Sequence, residues 1–150
     1  MEMTLEKAKA IYPTSPDWFK KELTAEFGAK AFEKRTFEDI RTFEDACEEL
    51  GIDPQTVVHE NDTPDEAAYK KLKIVVRAIN QGWTPDWNNS NQYKWWPYFN
   101  LSSGSGFSRT GSDYDFGLTC VGSRLCFESE AKSNYAAKQF NELYKQFFTI

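Results

Sequence analysis

Residues 63–82 constrain the chain most. Thr63, Pro64 and Glu66 combine an N-cap hydroxyl, a proline at the first helical position and an acid three residues after the cap. Together they satisfy backbone donors that a helix start would leave unpaired. Ala68, Leu72, Val75, Val76 and Ile79 then recur at helical spacing, and Gly82 supplies the stop. The pattern predicts an amphipathic helix whose apolar stripe other elements must cover. Trp83 follows the glycine, where an apolar residue folds back on the last turn; a recognition role for it is the alternative.

Weaker signals place helices upstream. Met1 to Ile11 reads as a charged helix with no hydrophobic leader region, so export by a signal peptide is not expected. Ser15 and Pro16 form an N-cap and N1 pair ahead of Trp18, Phe19, Leu23 and Phe27, with Gly28 as terminator. Thr42 to Asp45 forms a capping box for a helix carrying Phe43, Ala46, Cys47 and Leu50, closed by Gly51.

Downstream the chemistry changes. Trp83, Trp87, Tyr93, Trp95, Trp96, Tyr98, Phe99 and Phe107 crowd a stretch charged only at Asp86 and Lys94 and interspersed with Asn and Ser. Such a mixture suits a recognition surface or a mixed core. Lys94 to Leu101 reads as a strand, with Pro97 arguing for an edge position or a bulge. Ser102 to Ser112 reads as a Gly/Ser flap, and Gly117 to Val121 with Ser123 to Phe127 as two short strands or one bent strand. Ser129 opens a final helix lined by Ala136, Phe140, Leu143, Tyr144 and Phe147. The expected fold is therefore α+β: N-terminal helices, a small antiparallel sheet and a C-terminal helix packed on the sheet. A length of 150 residues suits one domain, mainly helical over 1–82 and aromatic-rich over 83–150. No apolar run reaches the roughly 20 residues of a membrane span.

Charge is uneven. Eleven acids lie between Glu38 and Glu66 against Arg41 alone, while the chain as a whole carries −5. This segment repels phosphate backbones at long range, which disfavours generic DNA binding. It reads as a solvated face, with mimicry of a phosphate backbone as the functional alternative.

The segments TFEDACEELG (42–51), AYKKLKIVVRAINQGWTPDW (68–87), KWWPYFNLSSGSGFS (94–108), GSRLCFES (122–129) and YAAKQFNELYKQFF (135–148) resemble a family of small proteins from phages, prophages and mobile elements of gut Bacteroidetes. The resemblance brings no catalytic or binding residues. It implies an accessory protein acting in the cytoplasm of a bacterial host, or in a virion.

No reaction is written in the residues. Cys47, Cys120 and Cys126 lack CxxC spacing, and the single His59 completes no common zinc set with them; a Cys120–Cys126 disulfide is the alternative to reduced thiols. His59 reads as a surface residue, Asp113 and Asp115 as loop acids short of a full cation site, and GSGFSRTGS lacks the ending of a phosphate loop. No catalytic residue, metal ligand or cofactor is assigned. A recognition module comes first, taking a host or phage protein, a nucleotide or a single-stranded nucleic acid, or acting through the acidic face. A virion or assembly protein comes second and a small enzyme third. The residues expected to bind are Trp96, Tyr98, Phe107, Arg109 and Arg124: one face of an aromatic strand, a flap, and two guanidinium groups for an anionic or planar ligand.

Overall fold

The computed structural model describes residues 3–33, 35–101, 107–118 and 122–149. Backbone packing divides the chain into two compact units, Met1–Arg35 and Thr36–Ile150.

The first unit holds α1 (Leu5–Ile11) and α2 (Asp17–Phe27). Thr4 caps α1 by accepting from the Lys7 N–H. The start of α2 differs by one residue from the sequence reading: Pro16, not Ser15, is the N-cap, because the Ser15 hydroxyl donates back to the Ile11 carbonyl at 2.8 Å. Gly28 ends α2 with a φ of 84°. Tyr12 stacks on Phe32 with centroids 4.2 Å apart.

The second unit is α+β, as the sequence predicts. It contains α3 (Phe43–Leu50), α4 (Pro64–Asn80), the antiparallel hairpin β1 (Lys94–Asn100) and β2 (Ser108–Asp115), then α5 (Glu130–Gln139) and α6 (Asn141–Phe148). Both predicted capping boxes form: Thr42 N–H donates to Asp45 at 3.0 Å, and Thr63 N–H to Glu66 at 2.8 Å. The stripe of α4 is buried with Ile40, Cys47, Leu125, Phe127, Ala136 and Tyr144 in one core, so residues before and after position 82 share a single apolar interior. No described helix is long and apolar enough to cross a membrane.

Three local readings are corrected. Arg109 to Ser112 belong to β2 instead of a flap, and residues 102–106 of the expected flap lie outside the described residues. Ser123–Leu125 form a 3-10 turn, not a strand; Gly122 enters it at a φ of 95°, and only Phe127 pairs with the sheet, through an isolated bridge to Trp95. Residues 119–121 of the other expected strand, including Cys120, lie outside the described residues, while Gly117 and Leu118 are not in a strand. The final helix is two, broken at Phe140, whose φ of −109° and ψ of 30° leave helical geometry. The break lets α5 lie on the hairpin while α6 reaches α4, where Phe147 stacks on Tyr69 at 5.4 Å. Ser112 on β2 anchors α5 by donating to Asn134 at 2.8 Å.

Candidate ligand-binding groove

A groove of about 830 Å³ runs along α4 in the second unit. One wall is α4 itself, which presents Lys70, Lys73, Ile74 and Arg77 at spacings of three and four residues, and therefore on one helical face. The opposite walls come from residues 83–87 with Trp83 and Trp87, from the turn at 123–126 with Arg124 and Cys126, and from residues 52–59 with Val57 and His59.

Each wall has a local cause. Gln81 takes the left-handed conformation at a φ of 51° and Gly82 follows at 90°. This pair of positive angles reverses the chain, and the Trp83 N–H returns to the Asn80 carbonyl at 3.0 Å. Trp83 thus takes the chain position predicted for a capping residue and also lines the groove. The polar residues after it tie the loop to itself: Asp86 N–H donates to Gln92, Asn88 N–H to Asp86 and Asn91 N–H to Asn89. The side chains of Asp86, Asn89 and Gln92 are therefore loop fasteners.

Lys94 sets the position of Trp87. Its side chain is fully buried, and the ammonium donates to the carbonyls of Asn89 (3.1 Å) and Phe116 (2.8 Å) with the Trp87 ring 5.3 Å away. Trp96, on the same strand face, meets Trp87 at 6.3 Å. The indole facing the groove is thus backed by a cation and a second indole.

The 123–126 turn hangs from the end of α4. The Asn80 amide donates to the Cys126 carbonyl at 2.9 Å, and its oxygen accepts from the Glu128 N–H at 3.1 Å. Lys132 donates to both the Asn80 carbonyl and Glu128. This buried polar set fixes Arg124 beside the C-terminal end of α4. The Cys126 thiol is buried and donates to the Ser123 carbonyl at 3.3 Å, and burial pushes it up to about 11.

The electrostatics are opposite to those of the chain. Among the described residues, Lys70, Lys73, Arg77 and Arg124 line the groove and no carboxylate does, although the chain carries −5. Lys70 is held by Asp62 at 2.7 Å. Among the described residues, Lys73, Arg77 and Arg124 have no ion-pair partner.

Of the five residues expected to bind, only Arg124 lines this groove. Trp96 is 3% exposed, so it is a core residue that borders the groove only through Trp87. Tyr98 is 45% exposed on the hairpin, Phe107 stacks on Phe99 at 4.8 Å, and Arg109 donates to Asn134 at 2.7 Å. Trp96, Tyr98, Phe107 and Arg109 do not line this groove. The residues that sequence reasoning missed are Lys70, Lys73, Arg77 and Trp87. A signal for them exists: positions 67–85 carry four bases and no acid immediately after the acidic segment.

The remaining candidates have structural employment. Asp113 accepts from the Tyr114 N–H, and Asp115 from those of Gly117 and Leu118, which hold its carboxyl below the usual range. No cluster of His, Cys, Asp and Glu fit for a metal occurs among the described residues. Within the acidic segment, Asp39, Asp45, Asp53, Asp62 and Glu66 each accept from a backbone N–H at a turn or helix start. Helix punctuation thus accounts for five of the eleven carboxylates.

Comparison of the chain with known protein families, curated proteins and solved structures finds no match.

Proposed function

We propose that this chain is a non-enzymatic recognition module that takes a planar, anionic ligand of the nucleotide type in the groove along α4. The observation that carries this reading is the lining itself: among the described residues, four bases, two tryptophans and no carboxylate, in a protein of net charge −5. A cationic cleft in an acidic protein focuses field lines on itself and draws anions to one place. Trp83 and Trp87 offer faces on which a base stacks, worth on the order of 1–3 kcal/mol per base. Arg77 and Arg124 supply planar forks that match phosphate geometry. The resemblance to phage and mobile-element proteins supports an accessory role in a bacterial host, for which a small binding module is sufficient.

Thymidine monophosphate is a direct probe. It should quench tryptophan fluorescence saturably, and Arg124→Gln should weaken binding about tenfold or more, as loss of a charge-assisted hydrogen bond does. Absence of saturable quenching and of calorimetric heat with this nucleotide, or an unchanged affinity in Arg124→Gln, would remove the groove as its site.

A further inference from the structure

Lys94 breaks the ordinary rules of burial. Its side chain is fully buried, and a charged group taken out of water without an ionic partner is costly. An acid stands next to it in the sheet, since Asp115 is its cross-strand neighbour on β2. The two do not pair. The ammonium donates instead to the carbonyls of Asn89 and Phe116, while the Asp115 carboxylate accepts from the Gly117 and Leu118 N–H groups. Among the described residues Lys94 has no ion pair. A neutral donor would satisfy a carbonyl equally well, so these hydrogen bonds account for the placing of the side chain and not for its charge.

What the charge faces is Trp87. The ammonium lies 5.3 Å from the ring centroid, within the range of a cation–π contact, and such contacts strengthen out of water. Trp87 is 37% exposed and lines the groove, whereas Lys94 is fully buried, so the cation lies behind the ring and the open part of the indole is left to the groove. The same lysine ties down the loop, because Asn89, whose carbonyl it binds, stands two residues from Trp87. A cation behind an indole draws π density inward and leaves the outer face a better partner for an electron-rich base. Resting on the reading of the groove as a nucleotide site, we propose that Lys94 is a positioning residue that acts on the ligand through Trp87, fixing the indole as the stacking wall and polarising it towards the base.

Calorimetric titration of the full chain with thymidine monophosphate, across a double-mutant cycle, tests this. Lys94→Met should weaken binding about threefold or more, the scale of a cation–π contact. The same substitution in a Trp87→Leu background should change affinity by less than about 1.5-fold, because the ring through which the charge acts is gone. Thermal melts establish which variants keep the fold; a merely structural lysine would lower the melting temperature without this coupling. A second measurement needs no substitution: in the unaltered chain the nitrogen signal of the buried Lys94 ammonium should shift at the same nucleotide concentration as the Trp87 indole. It decides the matter where a variant does not fold or retains too little affinity to titrate. Unchanged affinity in Lys94→Met, or a Lys94 signal that stays in place while that of Trp87 moves, would overturn the role of Lys94 and leave the nucleotide site intact. An equal loss in both backgrounds would overturn it too, in favour of a charge acting on the phosphate directly. No binding of the nucleotide by the unaltered chain would remove both readings.

Discussion

Trp95 and Trp96 are adjacent in a strand and so point to opposite faces. From the sequence, one of the two is free for contact. Trp96 is the buried one, 3% exposed beneath the loop that carries Trp87, whereas Trp95 is half-buried beside the exposed Tyr93 and Tyr114. Trp96→Ala should accordingly cost about 3–5 kcal/mol in urea denaturation, as truncation of a buried large aromatic does. Tyr98→Ala, at an exposed position, should cost less than about 1 kcal/mol. Equal costs would contradict the burial of Trp96. Cys126 supplies a pH signature. Its thiol rises from 9.0 to about 11 on folding. The fold thus retains a proton that the unfolded chain releases, so stability is fully present below about pH 9 and falls as pH rises towards 11. The Tyr144 hydroxyl, pushed upward by burial, acts in the same direction at higher pH. The urea midpoint should drop between about pH 8 and about pH 10.5, and drop less in Cys126→Ala. A pH-independent midpoint would contradict the burial of the thiol.

Helices with chemical punctuation were readable before the structure, and elements defined by tertiary pairing were not. Thr63, Pro64 and Glu66 announce α4 because their side chains act on their own backbone, and the same holds for Thr42 and Asp45 at α3. Phe127, by contrast, becomes strand-like only through its bridge to Trp95, and Ser123–Leu125 turn because Leu125 must reach the core. The groove was partly legible. Arg124, which the sequence offers as a guanidinium for stacking or for an anion, lines the groove, but Lys94 gives no local sign that its ammonium will be buried behind Trp87. The basic stripe of α4 was readable in principle as the face left over by the apolar stripe. Asn80 is the joint between these elements, since it is 4% exposed and both ends of its amide are engaged. Asn80→Ala strands the Cys126 carbonyl and the Glu128 N–H, and should cost about 2 kcal/mol or more. It should also weaken ligand binding, because Arg124 rides on the turn that Asn80 holds. An Asn80→Ala variant of unchanged melting temperature and affinity would show that the turn is fixed by other contacts.

For the whole molecule, the central proposal is one of place: ligand binding, in a protein of net charge −5, at the cationic groove of the Thr36–Ile150 unit and not at the aromatic hairpin that the sequence favours. The five tryptophans make that proposal measurable, because each indole N–H gives its own signal in a proton–nitrogen correlation spectrum. Trp83 and Trp87 line the groove, Trp96 is buried, Trp95 lies in the hairpin, and Trp18 belongs to the other unit. Titration with thymidine monophosphate should move the indole signals of Trp83 and Trp87 together with the backbone amides of Arg77 and Arg124, while Trp18 and the amides of Tyr98, Phe107 and Arg109 stay in place. Shifts centred on Tyr98, Phe107 and Arg109, with Trp83 and Trp87 unmoved, would contradict the account and return the site to the hairpin.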